Sequence, residues 1–407
     1  MGIFLNSAAP YSLYESEVKK PYFVDKSLML EELFLPAETG NSHICITRPR
    51  RFGKTVMANM VSAFFSHGVD STEIFSKLKI AESTGYKKHL NTHDVIRIDF
   101  SRMPRNCNSY DQYIERIERI LIQDLMEAYP KADIQEEDAV WDSLDLVYER
   151  YGCQRFIFVF DEWDCIFREF KNDEEAQEKY LDFLRDLIKD KSYIHLAYMT
   201  GILPIKKYGT HSALNMFDEF SMIDPGPLAS YVGFTESEVE KLCGEYQMDI
   251  DEIRNWYDGY SFEEVPSVYS PKSVISCMRL GRLGNYWNQT ETFEALQLYI
   301  DMNFEGLRDD ILSMLAGEEV PVNTGSFTND MATFRTEDDV LTLLIHLGYL
   351  AYDDKTKTVK IPNSEIRAEY VNTVSVSDWG SVSKALKDSA DTLNAIWQQR
   401  RTGIESH

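Results

Sequence analysis

The chain has 407 residues, enough for two or three domains with apolar cores of their own. Lys and Arg number 42 against 67 Asp and Glu, a formal net charge of −25, so broad non-specific contact with nucleic acid or an anionic membrane is disfavoured. Six cysteines without a CxxC pair read as buried thiols of a reducing cytoplasm, and neither a membrane-length apolar run nor a signal peptide is visible.

In chain order, Tyr11 to Phe34 read as a turn, a short strand at Tyr22-Phe23-Val24 and an amphipathic helix from Ser27. The apolar run Ile44-Cys45-Ile46-Thr47 then feeds a basic loop and a helix. Val56, Met57, Met60, Val61, Phe64 and Phe65 share one face of that helix, and Gly68 is placed to end it. Strand, loop and helix in this order make a phosphate-binding loop. The candidate binding residues are Arg48, Pro49, Arg50, Arg51, Phe52, Gly53, Lys54, Thr55 and Val56. Gly53 allows close approach of backbone to phosphate, Lys54 reaches the β- and γ-phosphates, and Thr55 offers a hydroxyl to Mg²⁺. Arg48 stands where the G-x-x-x-x-G-K-[ST] pattern has glycine. A basic surface turn ahead of a core helix is the competing reading of the loop alone.

Val95 to Phe100 reads as a strand and Tyr113 to Tyr129 as a helix, and the acidic stretch at Glu136-Glu137-Asp138 as a solvated loop or helix start. Arg155 to Phe160 is apolar without alternation, as expected for a central strand covered on both faces, and it ends in Asp161 and Glu162. Ligands of open α/β sheets bind beyond the carboxyl ends of the strands. There Asp161 would hold Mg²⁺ through water and Glu162 would polarise the attacking water. A helix from Ala176 to Lys189 and a strand from Ile194 to Gly201 follow, with Thr200 where a γ-phosphate sensor would stand. The expected fold is an α/β P-loop NTPase with a mostly parallel, doubly wound sheet.

Beyond Pro225 the chain turns helical. Thr235-Glu236-Ser237-Glu238 is a capping box, Asp249 to Tyr257 a short helix, and Ser270-Pro271 opens another. Helices at Leu307–Leu315 and Thr336–Leu347 precede strands at Tyr349–Tyr352 and Thr358–Ile361, and helix followed by hairpin suggests a winged-helix unit. The expected division is a P-loop domain with an N-terminal extension over 1–225, a helical lid over 226–330, and the winged-helix unit with a helical tail over 331–407.

These motifs together resemble the bacterial AAA-ATPase-like family. The resemblance runs from Tyr22-Phe23-Val24-Asp25-Lys26 through Thr47 to Thr55, Asp99-Phe100-Ser101, Phe160-Asp161-Glu162, Thr200-Gly201-Ile202 and Gly233-Phe234-Thr235-Glu236. It continues through Trp256-Tyr257-Asp258-Gly259-Tyr260, Tyr269-Ser270-Pro271 and Tyr286-Trp287. It implies that an arginine-rich loop replaces the glycine-led form, and that a C-terminal PD-(D/E)XK nuclease-like domain is usual. The required Asp and Asp/Glu-x-Lys pair are not found in the tail, so no nuclease activity is expected.

The sequence therefore predicts an ATPase using ATP and Mg²⁺, with Lys54, Glu162 and Thr200 as catalytic residues and Thr55 and Asp161 as metal ligands. Arg48, Arg50 or Arg51 would add charge to the transition state. Two alternatives remain at this point: an ATP-binding switch with little turnover that displays a protein partner surface or self-associates, and a nucleic-acid adaptor relying on Lys355, Lys357 and Lys360.

Overall fold

The computed structural model describes residues 1–40, 42–205, 214–287, 296, 304, 306–327 and 334–376. Five parallel strands form the central sheet: β1 (Ser42–Thr47), β2 (Asp94–Asp99), β3 (Phe156–Asp161), β4 (Ile194–Gly201) and β5 (Asp218–Phe220), in the order β2-β3-β4-β1-β5. Every residue of β3 is buried, as expected for an apolar strand with helices on both faces. Insertion of β4 between β1 and β3 brings the loop after β1 and the acids after β3 to one carboxyl edge. This is a doubly wound α/β sheet.

Helix α1 (Ala9–Val18) occupies a stretch expected to be a turn, and α2 (Met29–Thr39) is the expected amphipathic helix. Tyr14 of α1 is buried and stacks on Phe75 with ring centroids 5.4 Å apart, so packing rather than local pattern fixes α1. Tyr22 to Val24 are turn and irregular backbone, not a strand; Tyr22 lies on Tyr246 and Phe23 on Tyr14. The loop helix α3 (Lys54–Phe65) ends before Gly68, because Ser66 turns extended at ψ 131°. Helices α4 (Tyr110–Ala128), α5 (Val140–Arg150), α6 (Cys165–Glu169) and α7 (Glu174–Ile188) complete the sheet's cover. Of these, α5 arises just past the acidic stretch, and β5 lies in the loosely patterned segment after Thr200.

The C-terminal half opens on a two-stranded ladder, β6 (Phe234–Thr235) with β7 (Val268–Tyr269), around helices α8 (Glu236–Tyr246), α9 (Ile250–Tyr257) and α10 (Pro271–Leu280). Val239, Ile253, Tyr257, Val274 and Cys277 form their common core. The capping box is present, with Glu238 accepting from the Thr235 N–H at 2.8 Å. Glu238 also pairs with the buried Lys26, which fastens this half to the N-terminal extension.

Next come α11 (Leu307–Leu315), β8 (Val320–Pro321), α12 (Glu337–Leu347), β9 (Ala351–Asp353), β10 (Thr358–Lys360) and α13 (Ser364–Val376), with the antiparallel order β8-β10-β9. The expected helix and hairpin are both present here, joined by β8 into one three-stranded antiparallel sheet. The sequence expectation for the tail beyond Val376 falls outside the described residues.

Candidate functional site

Thr47 ends β1, and the Arg48 N–H still donates to Gly201 O at 3.1 Å, so the loop leaves the sheet in register with β4. Arg51 and Gly53 have positive φ, 73° and 91°. A Cβ at Gly53 would meet nothing within 4 Å, so glycine is selected there by backbone conformation and not by space. These turns swing the chain into α3, whose first N–H groups face the same side as Lys54 and Thr55.

That side is a cleft of about 1240 Å³. Arg50, Arg51, Gly53, Lys54, Thr55 and Val56 line one wall, Asp99 to Met103 and Glu162 another, and helix α10 the third. Its walls carry eight cations, Lys20, Arg50, Arg51, Lys54, Arg102, Arg168, Lys272 and Arg279, against four acids, Glu17, Asp99, Glu162 and Glu169. In a chain of net charge −25, this local excess of positive charge is the electrostatic signature of a polyanion site.

Lys54 is buried, and burial pulls its ammonium down from its ordinary value despite the nearby Glu162 carboxylate. Its Nζ donates to Pro49 O at 3.0 Å and stands 4.0 Å from Glu162 Oε1, so the loop closes on its own lysine. Glu162 has φ 55°, a left-handed turn that directs its side chain off the end of β3 into the cleft. Burial raises the carboxyl from its usual range, while Lys54 and Arg168 oppose that rise. Arg168 ties Glu162 to Asp164: its Nη2 donates to Glu162, and its Nε to Asp164 Oδ2 at 3.0 Å.

The expected site residues do not all face the cleft. Arg48 is fully buried, pointing the other way: its Nη1 donates to Thr47 O, Phe220 O and Ser221 O at 2.8, 3.0 and 2.9 Å. Its guanidinium lies 5.3 Å from the centre of the Phe262 ring, and burial lowers it to about 10. The expectation that Arg48 reaches phosphate is corrected accordingly, since a side chain pinned under β5 cannot also enter the cleft. Pro49 packs on Gly348, where a Cβ would come within 2.7 Å of the proline ring, and Phe52 meets Tyr260 edge-on.

Thr200 and Asp161 also sit behind the cleft wall. Thr200 Oγ1 donates to Asp161 Oδ1 at 2.7 Å, and Arg97 Nη2 donates to Asp161 Oδ2 at 3.2 Å, with all three side chains buried or nearly so. The placement of Thr200 as a direct γ-phosphate contact is corrected to a partner of Asp161. Arg97, Arg168 and Arg279 were not singled out from sequence. Arg168 carries a spacing signal, four residues after Asp164 on one helical turn; Arg97 and Arg279 carry none.

The oxygens of Thr55, Asp99, Asp161 and Glu162 are hard donors that suit Mg²⁺. Among the described residues, no group of three or more His, Cys, Asp or Glu side chains is arranged to hold a metal ion, so phosphate oxygens and water would have to complete any shell. Among the described residues, no helix is long and apolar enough to cross a membrane.

Arg51 leaves the loop toward the C-terminal half, donating to Tyr286 O and Trp287 O. The N–H groups of Tyr286 and Trp287 donate to Glu365 Oε1 at 2.6 and 2.9 Å, and Ser273 Oγ of α10 to Glu365 Oε2 at 2.7 Å. Burial pushes Glu365 up to about 7. Helix α10 and the Tyr286–Trp287 segment that receives Arg51 thus meet α13 at one buried carboxylate. Helix α12 is buried too, from Val340 to His346, and lies against the loop through Gly348 and Pro49.

Residues 14–210 match the model of a family described as predicted AAA-ATPase. A curated relative from Azotobacter chroococcum, described as an uncharacterized protein in the vnfD 5' region, is 26% identical over 278 residues. That alignment covers 67% of this chain and 51% of the relative, so the chain spans about half the relative's length. Among solved structures, a Walker-type ATPase of Pyrococcus abyssi aligns over 85% of this chain and 94% of its own, at 13% identity and TM-score 0.41. The Aeropyrum pernix ORC2 protein aligns over 86% and 93%, at 15% identity and TM-score 0.36. At these scores neither likeness carries weight in the functional reading.

Proposed function

From the premise that residues 14–210 match the predicted AAA-ATPase family, we propose that the chain binds Mg-ATP at the Arg50–Val56 loop and hydrolyses it. The observation that carries this reading is the cationic cleft built on Lys54 and the start of α3, with Glu162 on the facing wall. Lys54 and the loop N–H groups hold the β- and γ-phosphates, and Lys54 exchanges Pro49 O for phosphate oxygen as they arrive. Thr55 and Asp161 would hold Mg²⁺, Asp161 giving up its bond from Arg97 to do so, and the metal would neutralise charge on the phosphate oxygens. Glu162 orients a water for in-line attack on the γ-phosphorus. As the new P–O bond forms, the bond to the β–γ bridging oxygen breaks, the water proton passes to Glu162 and then to phosphate, and ADP leaves.

The loop's other contacts support a conformational output. Arg51, Pro49 and Phe52 touch Tyr286, Trp287, Gly348 and Tyr260, so rearrangement of the loop is felt by the lid and the winged helix. In this reading the winged-helix unit begins at Leu307, within the stretch assigned to the lid from sequence. Its buried α12 and the pairing of Lys357 with Asp354 and Lys360 with Glu319 favour a lever over a nucleic-acid reader. The hairpin also borders a groove lined by Asp224, Glu263, Glu264, Asp353 and Asp354.

The engagement of Glu162 by Arg168 favours a second reading, a switch that binds ATP and turns it over slowly. Steady-state turnover of wild type and Glu162→Gln with Mg-ATP separates the two. The enzyme reading predicts a loss of roughly 10²–10³-fold in kcat with nucleotide still bound. Equal, negligible turnover in both proteins would select the switch.

A further inference from the structure

We propose that Arg168 is a second cation for the terminal phosphate, parked on Glu162 until a γ-phosphate draws it away and frees that carboxylate to act on water. This rests on the reading of the cleft as a nucleotide site.

The two arms of Arg168 are anchored unequally. Its Nε donates to Asp164 Oδ2 at 3.0 Å, and Asp164, whose side chain has 0% exposure, also accepts from Leu203 N at 3.0 Å. That arm is fixed in the protein. The Nη2 arm holds Glu162, whose side chain is 20% exposed at the cleft wall. A guanidinium gripped at Nε can exchange the partner of its outer nitrogens by small rotations, whereas a lysine has a single point charge to place.

Glu162 is also 4.0 Å from Lys54 Nζ, so one carboxylate lies between two cations that border the loop. A terminal phosphate brings more negative charge and three acceptor oxygens to the same place, and it outcompetes a single carboxylate for both. Arg48 is buried under β5, and Arg51 is committed to Tyr286 and Trp287. Arg168 is therefore better placed than either to answer developing charge from this wall of the cleft. Its exchange would couple arrival of the γ-phosphate to release of the water-activating group.

The test measures equilibrium binding of Mg-ADP and of the Mg complex of a β,γ-imido ATP analogue to the full chain. Arg168→Ala should weaken the analogue about tenfold or more while changing ADP less than about twofold. Arg102→Ala, which removes another cation of the same cleft, should leave the ratio of the two affinities unchanged. Should Arg168→Ala fail to fold, Glu162→Gln supplies the complement: with no carboxylate to leave, Arg168 should bind the analogue a few-fold more tightly, again without change for ADP. If wild type binds both nucleotides and Arg168→Ala and Glu162→Gln shift them equally or not at all, the inference is wrong. If wild type binds neither, the nucleotide reading fails and takes this inference with it.

Discussion

Thr200 Oγ1 lies 2.7 Å from Asp161 Oδ1 across neighbouring strands, with both side chains fully buried. The hydroxyl serves the acid and not the cleft. Thr200→Val keeps the shape and removes the donor, which leaves a buried acceptor short of one bond at a cost of about 1–3 kcal/mol. We expect the Mg²⁺ concentration for half-maximal ATP binding to rise several-fold, with metal-free nucleotide affinity unchanged. A titration in which Mg²⁺ dependence is unaltered and only γ-phosphate discrimination is lost would restore the sensor role.

Arg48 is a structural cation. Its Nε and Nη2 lack partners among the described residues, and its Nη1 links Thr47 to Phe220 and Ser221 at the β1–β5 junction. Arg48→Met is expected to lower stability by about 1–3 kcal/mol, through lost bonds to those carbonyls. Nucleotide affinity should stay within about threefold, because no bond to phosphate is lost. Chemical denaturation and nucleotide titration on the same preparation check both halves.

The difference between Arg48 and Lys54 marks where sequence reading stops. Period and punctuation made β1, α3, β3 and β4 legible, because unbroken apolar runs and an amphipathic face follow from burial alone. The carboxyl-edge position of Lys54, Thr55, Asp161 and Glu162 followed from strand–loop–helix order. The direction of each arginine did not, since a guanidinium is long enough to reach either side of a loop and its choice depends on distant partners. Arg48 found Phe220, the last residue of a strand that residue pattern did not reveal, and Ser221 just beyond it. Tyr22 to Val24 read as a strand because aromatic and β-branched residues favour one, yet their side chains are used for packing on Tyr14 and Tyr246.

Glu365 sets a pH dependence of stability. Its folded-state value, about 7, is above the ordinary 4.5, because burial outweighs the bonds from Ser273, Tyr286 and Trp287. The folded state therefore holds this proton more tightly than the unfolded chain. Its stabilising contribution is complete below about pH 4.5 and is lost as pH rises through about 7. In Glu365→Gln that loss disappears, so the difference in melting temperature between wild type and variant should change across pH 5 to 8 in the variant's favour. A pH-independent difference would show that Glu365 titrates elsewhere.

Arg51 is the predicted transmitter between loop and lid. Arg51→Ala removes the donor to Tyr286 O and Trp287 O while leaving Lys54 and the α3 N–H groups in place. Hydrogen exchange in α12 and α13 of wild type should change on addition of the Mg-bound β,γ-imido analogue. In the variant, saturated with the same ligand, that change should be absent. Identical exchange differences in the two proteins would place the coupling outside Arg51.

In the proposed function, the Arg50–Val56 loop takes the phosphates of a nucleotide on Lys54. Calorimetric titration of Mg-ATP into wild type and Lys54→Ala tests it directly. Wild type should show saturable one-site binding and the variant a loss of about 100-fold or more, in line with removing a buried charge-assisted contact to phosphate. Equal affinity in the two proteins, or no binding by a folded wild type, would contradict it.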